Sequence, residues 1–408
     1  MSRLPATSPP PRKDTHSPLH PDGPHAEAAV EAFLAGLAAV DPTVLVRKAV
    51  RQGLLDDWFF AGGRKREDPR PLHVLALGKA APRMLWGLVE GGVPFSGLGV
   101  APKGVPAPGV DTFEWLPGDH PVPRDASFAA GQRILQWAQA VPENAPVLVL
   151  LSGGASACVE VADGCSQAEL QKAWTDLLRS GKSIEAVNAE RAALSGLKGG
   201  KLGKALLART ANIRVWLLAD TDPTTAAATV GSAPFYQADD PGRIPHHVLA
   251  SAHDMVAAAG LRLASLGYDV YRHPERIRAA VADEVRRFLD GFASLPGGGR
   301  VALVGGGEVT LAHPSDSPAG GRCQHAALQA AERLAVLGGS TSFLACASDG
   351  VDGSTDAAGA VVTAADAGPE AAAATRAFAA HALLDRRGRL VHTGPTGTNV
   401  NDLWIALG

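Results

Sequence analysis

A chain of 408 residues exceeds what one hydrophobic core usually fills, so two domains are expected. With 46% hydrophobic and 19% charged residues the composition is that of a soluble globular protein, and a formal net charge of -3 gives no electrostatic ground for a nucleic-acid or membrane partner. The four cysteines, Cys158, Cys165, Cys323 and Cys346, lack zinc-site spacing and suggest no disulfide framework, which fits a reduced, cytoplasmic compartment.

Residues 1–25 are rich in Pro and His without periodicity and hold neither a signal-type apolar core nor a membrane-spanning run, so they read as a disordered extension. From Ala26 to Val50 apolar residues recur at helical spacing. LHVLALGKAAPRMLWGLVEGG then supplies a short apolar run, a Gly turn and a second helical pattern: strand, loop, helix. The unit returns at APVLVLLSGGASACVEV, NIRVWLLADTDPT, RVALVGGGEVTL and STSFLACASDGVDGSTDAAGAV. Apolar runs flanked by helices predict parallel strands buried on both faces and hence an α/β architecture. The turn-rich stretch PFYQADDPGRIP puts a domain boundary near residue 240, giving domains 26–240 and 241–408, and SLPGGGR at 294–300 is a second break.

Small or polar residues follow every one of these runs: Gly78-Lys79, Ser152-Gly153-Gly154, Asp220-Thr221-Asp222, Gly305-Gly306-Gly307-Glu308 and Ser348-Asp349-Gly350. Ligands of open α/β sheets bind outside the carboxyl ends of the strands, so these clusters predict a polar-ligand site; the plainer alternative is that Gly and Asp only make the turns. Lys79, directly after a strand, suits an anion. Ser152, Gly153, Gly154 and Ser156 have the make-up of an anion cradle. Asp220 is placed to accept a proton or hold a metal, and Asp349 and Asp352 to coordinate a metal or form turns. Arg322, closing PAGGR, presents a planar fork to a carboxylate or phosphate. Glu308 is a lesser candidate.

Two phosphate-binding signatures are missing. DLLRSGKS has Asp176 where a Walker A loop needs its first Gly and is expected to be a helix end with Gly181 left-handed, and no G-x-G-x-x-G opens a helix after a strand. A Ser nucleophile served by His120 or His325 would need the G-x-S-x-G elbow, also missing.

The motifs LGKAAPRM, GDHPVP, LLSGGASA, LKGGKL, GGGEVTL, SDGVDGSTDAAGAV and TGPTGTNVNDL, in this order from about Leu72 to Leu407, resemble the two-domain D-glycerate 2-kinase family whose C-terminal part is the MOFRL domain. The resemblance implies a Rossmann-like three-layer N-terminal domain, a smaller α/β MOFRL-type C-terminal domain and an active site in the cleft between them. It also implies transfer of a phosphoryl group from ATP, with Mg2+, to the 2-hydroxyl of D-glycerate, a small-molecule substrate, by a monomer or homodimer. The family's functional positions fall here on Lys79, Asp220 and Arg322, with Lys198, Thr396, Thr398 and Asn399 expected to line or brace the substrate and nucleotide site. The chain departs from the pattern at Ala192-Ala193, in TDPTTAAATVGSAPF after Asp220, and at Cys323 to His325. Those departures keep two alternatives open, a kinase for another small hydroxy acid and a homologue that binds without turnover; a hydroxypyruvate reductase, which would act at a neighbouring metabolic step, is opposed by the missing dinucleotide fingerprint.

Overall fold

The computed structural model of the protein describes residues 23–61, 64–65, 71–180, 184–296, 299–312, 314 and 317–408. Residues 1–22 of the expected extension, Gly181 and part of the break at 294–300 lie outside the described residues. The chain divides into two compact units. One holds Pro42–Ser251 and Gly397–Asn399; the other holds helix α1 (Pro24–Ala39) through Asp41, Ala252–Thr396 and Val400–Gly408.

In the first unit, six parallel strands form one sheet: β1 (Leu72–Leu77), β2 (Phe95–Pro102), β3 (Phe113–Gly118), β4 (Val147–Leu151), β5 (Ile213–Ala219) and β6 (His246–Ser251). Their spatial order is β3-β2-β1-β4-β5-β6. This is the order of doubly wound sheets, and its direction reverses between β1 and β4, where crossovers leave towards opposite faces and open a crevice. Every residue of β4 is buried, which is why its sequence reads VLVLL without a polar break. Helices α2 (Ala81–Glu90) and α3 (Asp125–Ala140) belong to this unit. Because PFYQADDPGRIP leads into β6, the units change after Ser251, not near residue 240.

Helix α1 is the second departure from the expected boundaries. It packs in the second unit against α4 (Ala252–Ser265), where a Cβ at Gly36 would lie 3.0 Å from Met255. That unit's sheet contains β7 (Asp269–Arg272), β8 (Val301–Gly307), β9 (Ser342–Ala347), β10 (Gly359–Thr363), β11 (Leu390–Val391) and β12 (Asp402–Leu407). The order is β11-β10-β9-β12-β8-β7, and only β7 and β8 pair in parallel. The expectation of parallel neighbours therefore fails here, because β12 inserts antiparallel between β8 and β9. All six residues of β12 are buried, and Trp404 meets Phe288 and Phe343 edge to face with centroids 5.7 and 5.4 Å apart. Asn401, at φ 73°, turns the chain into this central strand. Among the described residues no single helix is long and apolar enough to cross a membrane.

Candidate active site

The reversal point of the first sheet gathers the residues that follow β1, β4 and β5. Lys79 N–H donates to the Gly153 carbonyl at 2.9 Å, joining the β1 and β4 turns. The buried Ser152 hydroxyl braces the same junction, accepting from Ala80 N–H at 3.0 Å and facing the Leu77 carbonyl at 3.4 Å. Ser152 is thus a structural tie between turns, and the open part of the expected cradle is its two glycines. Gly154 is left-handed, at φ 83°, and a Cβ there would lie 2.9 Å from Lys79 Cγ and 3.6 Å from His120 Cδ2. A Cβ at Gly153 would lie 2.2 Å from Asp220 Oδ2 and 2.5 Å from Asn399 Nδ2. Only hydrogen fits there, so Asp220 and Asn399 approach the backbone directly. Lys79, Asp220, Asn399 and His120 therefore converge on one glycine pair.

Asn399 arrives from the segment TGPTGTNVNDLW. Within the second unit this segment is tied to Ser348: the Thr396 hydroxyl donates to the Ser348 carbonyl at 2.5 Å, and Val400 N–H donates to the Ser348 hydroxyl at 2.9 Å. Thr396 and Thr398 are buried, so of the three expected site residues Asn399 is the most exposed. Gly397 packs on Arg83 of α2, with a Cβ position 2.4 Å from Arg83 Cγ.

Arg322 begins α6 (Arg322–Leu337), the helix after α5 (Val281–Ala293), and is gripped by two carboxylates. Its Nε and one terminal nitrogen hold Asp402 at 2.7 and 2.9 Å, and the other terminal nitrogen holds Glu308 at 2.6 Å. Burial alone would make the guanidinium easier to deprotonate, but Asp402 and then Glu308 override it and raise the pKa far above its ordinary value. Asp402 is fully buried whereas Glu308 is half exposed, so Glu308 is the partner that can let go. Arg322 borders a cavity of about 490 Å³ that His325 and Phe378 also line. His325 stacks on Phe378 with ring centroids 5.3 Å apart.

Comparison with known proteins decides the family. A profile described as a domain of unknown function, DUF4147, matches residues 28–257, and the MOFRL family matches residues 301–402. The D-glycerate 2-kinase of Thermotoga maritima is 30% identical over 82% of this chain and 90% of that protein. The chain belongs to the glycerate 2-kinase family. The Glycerate 2-kinase of Pyrococcus horikoshii is 27% identical over 91% of this chain and 94% of its own. A relative from Agrobacterium vitis, 30% identical over 81% of this chain and 97% of its own, carries the provisional name hydroxypyruvate reductase. The crystal structure of a glycerate kinase from Thermotoga maritima superposes with a TM-score of 0.76 at 26% identity, over 94% of this chain and 99% of that one.

Three residues that the glycerate 2-kinase motifs nominate have polar atoms engaged within the protein. Lys198 is fully buried, its ammonium donating to Glu160 at 2.5 Å and to the Val159 carbonyl at 3.2 Å. Burial lowers its pKa against the opposing pull of Glu160, and its ammonium is engaged in an internal contact with that carboxylate. Asp352 caps α6, its two oxygens accepting from Cys323 N–H at 3.0 Å and Gln324 N–H at 2.8 Å. Burial pushes its pKa up to about 6 in spite of those bonds. Asp349 accepts from Val351 N–H at 3.1 Å in its own turn. Asp349 and Asp352 are thus occupied by backbone, and among the described residues no group of three or more His, Cys, Asp or Glu is arranged for a metal ion. The Ser156 hydroxyl bonds Ser232 at 2.7 Å. Cys158, close enough to feel Lys79, is pushed up to about 12 by burial and is no nucleophile.

Two polar residues inside the quoted motifs carry more than their sequence announces: His120 of GDHPVP stands by the glycine pair, and Asp402 of TGPTGTNVNDL holds Arg322. A polar residue within an otherwise small-residue motif was the available signal.

Proposed function

We propose that the protein is a glycerate kinase that transfers the terminal phosphoryl group of ATP to the 2-hydroxyl of D-glycerate. The observation that carries this reading is the convergence of Lys79, Asp220 and Asn399 on Gly153-Gly154 at the reversal point of a parallel sheet, in a chain of the glycerate 2-kinase family.

Phosphoryl transfer asks little covalent work of a protein and much positioning and charge neutralisation. Lys79 supplies a positive charge beside backbone that only glycine leaves open, so phosphate oxygens can reach main-chain N–H groups and the ammonium together. Asn399 orients a reactant through its amide. Asp220 is the carboxylate of the cluster; facing Gly153, it suits Mg2+, which is held by one or two carboxylates plus substrate oxygens, better than the backbone-bound Asp349 and Asp352 do. When bound, Mg2+ neutralises charge on the transferring phosphoryl group. Asp220 also has the chemistry to take the proton of the attacking hydroxyl. Arg322, held in the second unit by Asp402 and the half-exposed Glu308, presents a planar fork suited to a carboxylate or phosphate.

The deciding assay supplies ATP, Mg2+ and D-glycerate and couples the product through enolase, which uses 2-phosphoglycerate but needs a mutase for the 3-isomer. Signal without mutase is expected; ADP release whose enolase signal appears only when mutase is added, or no ADP release at all, overturns the assignment. The reductase name among relatives predicts NADH oxidation with hydroxypyruvate instead. The turn after β1, Gly78-Lys79-Ala80-Ala81-Pro82, lacks the glycines that a dinucleotide pyrophosphate needs, so no oxidation is expected.

A further inference from the structure

A second cavity, of about 450 Å³, opens in the first unit and is lined by Lys103, Asp119, His120, Val122 and Arg124. It falls in the size range of small-molecule sites, roughly 300–1,000 Å³. His120 ties it to the glycine pair, since its ring carbon stands 3.6 Å from the Cβ position of Gly154, the same position that lies 2.9 Å from Lys79.

The cavity's charge is positive by construction. Asp119 is nearly buried and spent: it accepts from Lys103 at 2.7 Å and from Ala126 and Ser127 N–H at 3.1 and 3.3 Å, capping α3. Lys103 gives Asp119 one of the three donors of an ammonium and keeps its side chain 62% exposed. Arg124 precedes α3 and is exposed, and its guanidinium makes no hydrogen bond or ion pair among the described residues. The turn between them is fixed, because Trp174 Nε1–H donates to the Pro121 carbonyl at 3.1 Å. One acid therefore faces a lysine, an arginine and an imidazole on this frame.

We infer that this cavity holds the carboxylate of the acceptor hydroxy acid, with Arg124 and Lys103 as its charge partners and His120 between them and Lys79. The inference rests on the kinase reading for the identity of the acid; the cavity's preference for a small carboxylate follows from its own residues. An anion here could instead be a nucleotide phosphate, and kinetics separate the two.

The test is steady-state kinetics of Arg124→Gln and Lys103→Gln, each substrate varied in turn, with Arg133→Gln as control. Arg133 lies on α3 outside the cavity, paired with Glu114 at 2.7 Å, and removes the same charge. Losing a charge-assisted bond predicts a KM for glycerate raised roughly tenfold or more, a KM for ATP within twofold, and no change in the control. An unmoved glycerate KM, or a raised ATP KM, overturns the inference while leaving the kinase reading intact. If the wild type does not turn over glycerate, that reading fails, and calorimetric titration of D-glycerate and D-lactate, with glycerol as the neutral probe, decides the rest. Binding of the acids lost in Arg124→Gln supports the cavity's role. Equal binding in the variant, or no acid binding by the wild type, removes it.

Discussion

Gly153 has room for a hydrogen and nothing more, and the tight approach of Asp220 and Asn399 depends on it. Gly153→Ala pushes a methyl group against Asp220 Oδ2, so the carboxylate and the amide must both shift. A displacement of about 1 Å in a positioned reactant costs on the order of 100-fold in rate. The expected result is a kcat/KM reduced by about that factor with the melting temperature little changed; activity within threefold of wild type would take the glycine pair out of the reaction. Asp352 makes a prediction of a different sort. Its pKa rises on folding from the ordinary 3.8 to about 6, chiefly through burial, so its contribution to stability is full below pH 4 and is lost as the pH climbs through 6. Wild type measured against Asp352→Asn by urea unfolding should gain relative stability between pH 7 and pH 5, by on the order of 1–3 kcal/mol. A flat difference across that window means the carboxyl titrates normally.

At the scale of elements, the buried pair Lys198–Glu160 joins the turn before the short helix Lys201–Leu207 to the chain leaving Gly154. Glu160 also accepts from Val161 N–H at 3.0 Å and from the Ser195 hydroxyl. Removing one member strands a buried charge, so Lys198→Met should cost about 3–5 kcal/mol. Lys198→Met with Glu160→Gln keeps the hydrogen bonds of Glu160, drops both charges and should recover most of that loss in chemical unfolding. A double variant no more stable than the single one would mean the pair is not what holds these elements. This pair also marks the limit of what local sequence reveals. β1, β4 and β5 were legible because their apolar runs are continuous, and Lys79 and Asp220 because each ends such a run. Lys198, by contrast, looks like any lysine of a Gly-rich motif. Its carboxylate stands 38 residues earlier, and nothing near Lys198 announces it. Asp352 reads as a metal ligand for the same reason, its backbone partners at Cys323 and Gln324 being distant in sequence.

Across the whole molecule, the terminal segment does three jobs that its sequence keeps separate. Asn399 reaches the glycine pair of the first unit, Asp402 holds Arg322, and Asp402–Leu407 fills the middle of the second sheet. LWIAL could be read as an apolar strand or a helix fragment, and only the unpaired edges of β8 and β9 make the choice, because both need a partner. β12 pairs with β8 from Ala302↔Leu407 to Gly307↔Asp402 and with β9 from Ser342↔Leu407 to Ala347↔Asp402. Ending the chain at Asn401 would therefore split that sheet into β11-β10-β9 and β8-β7, expose two edges and remove Trp404 from its contacts with Phe288 and Phe343. A buried Trp alone is worth about 3–5 kcal/mol on truncation, comparable to a large part of a domain's net stability. The truncated chain should lose the second unit's cooperative unfolding transition in calorimetry and become protease-sensitive across 252–396. The segment 42–251, whose six-stranded sheet borrows no strand from the terminus, should resist cleavage. Resistance throughout 252–396 would show that the second sheet closes without β12, and that the terminal strand is an addition to a fold already complete.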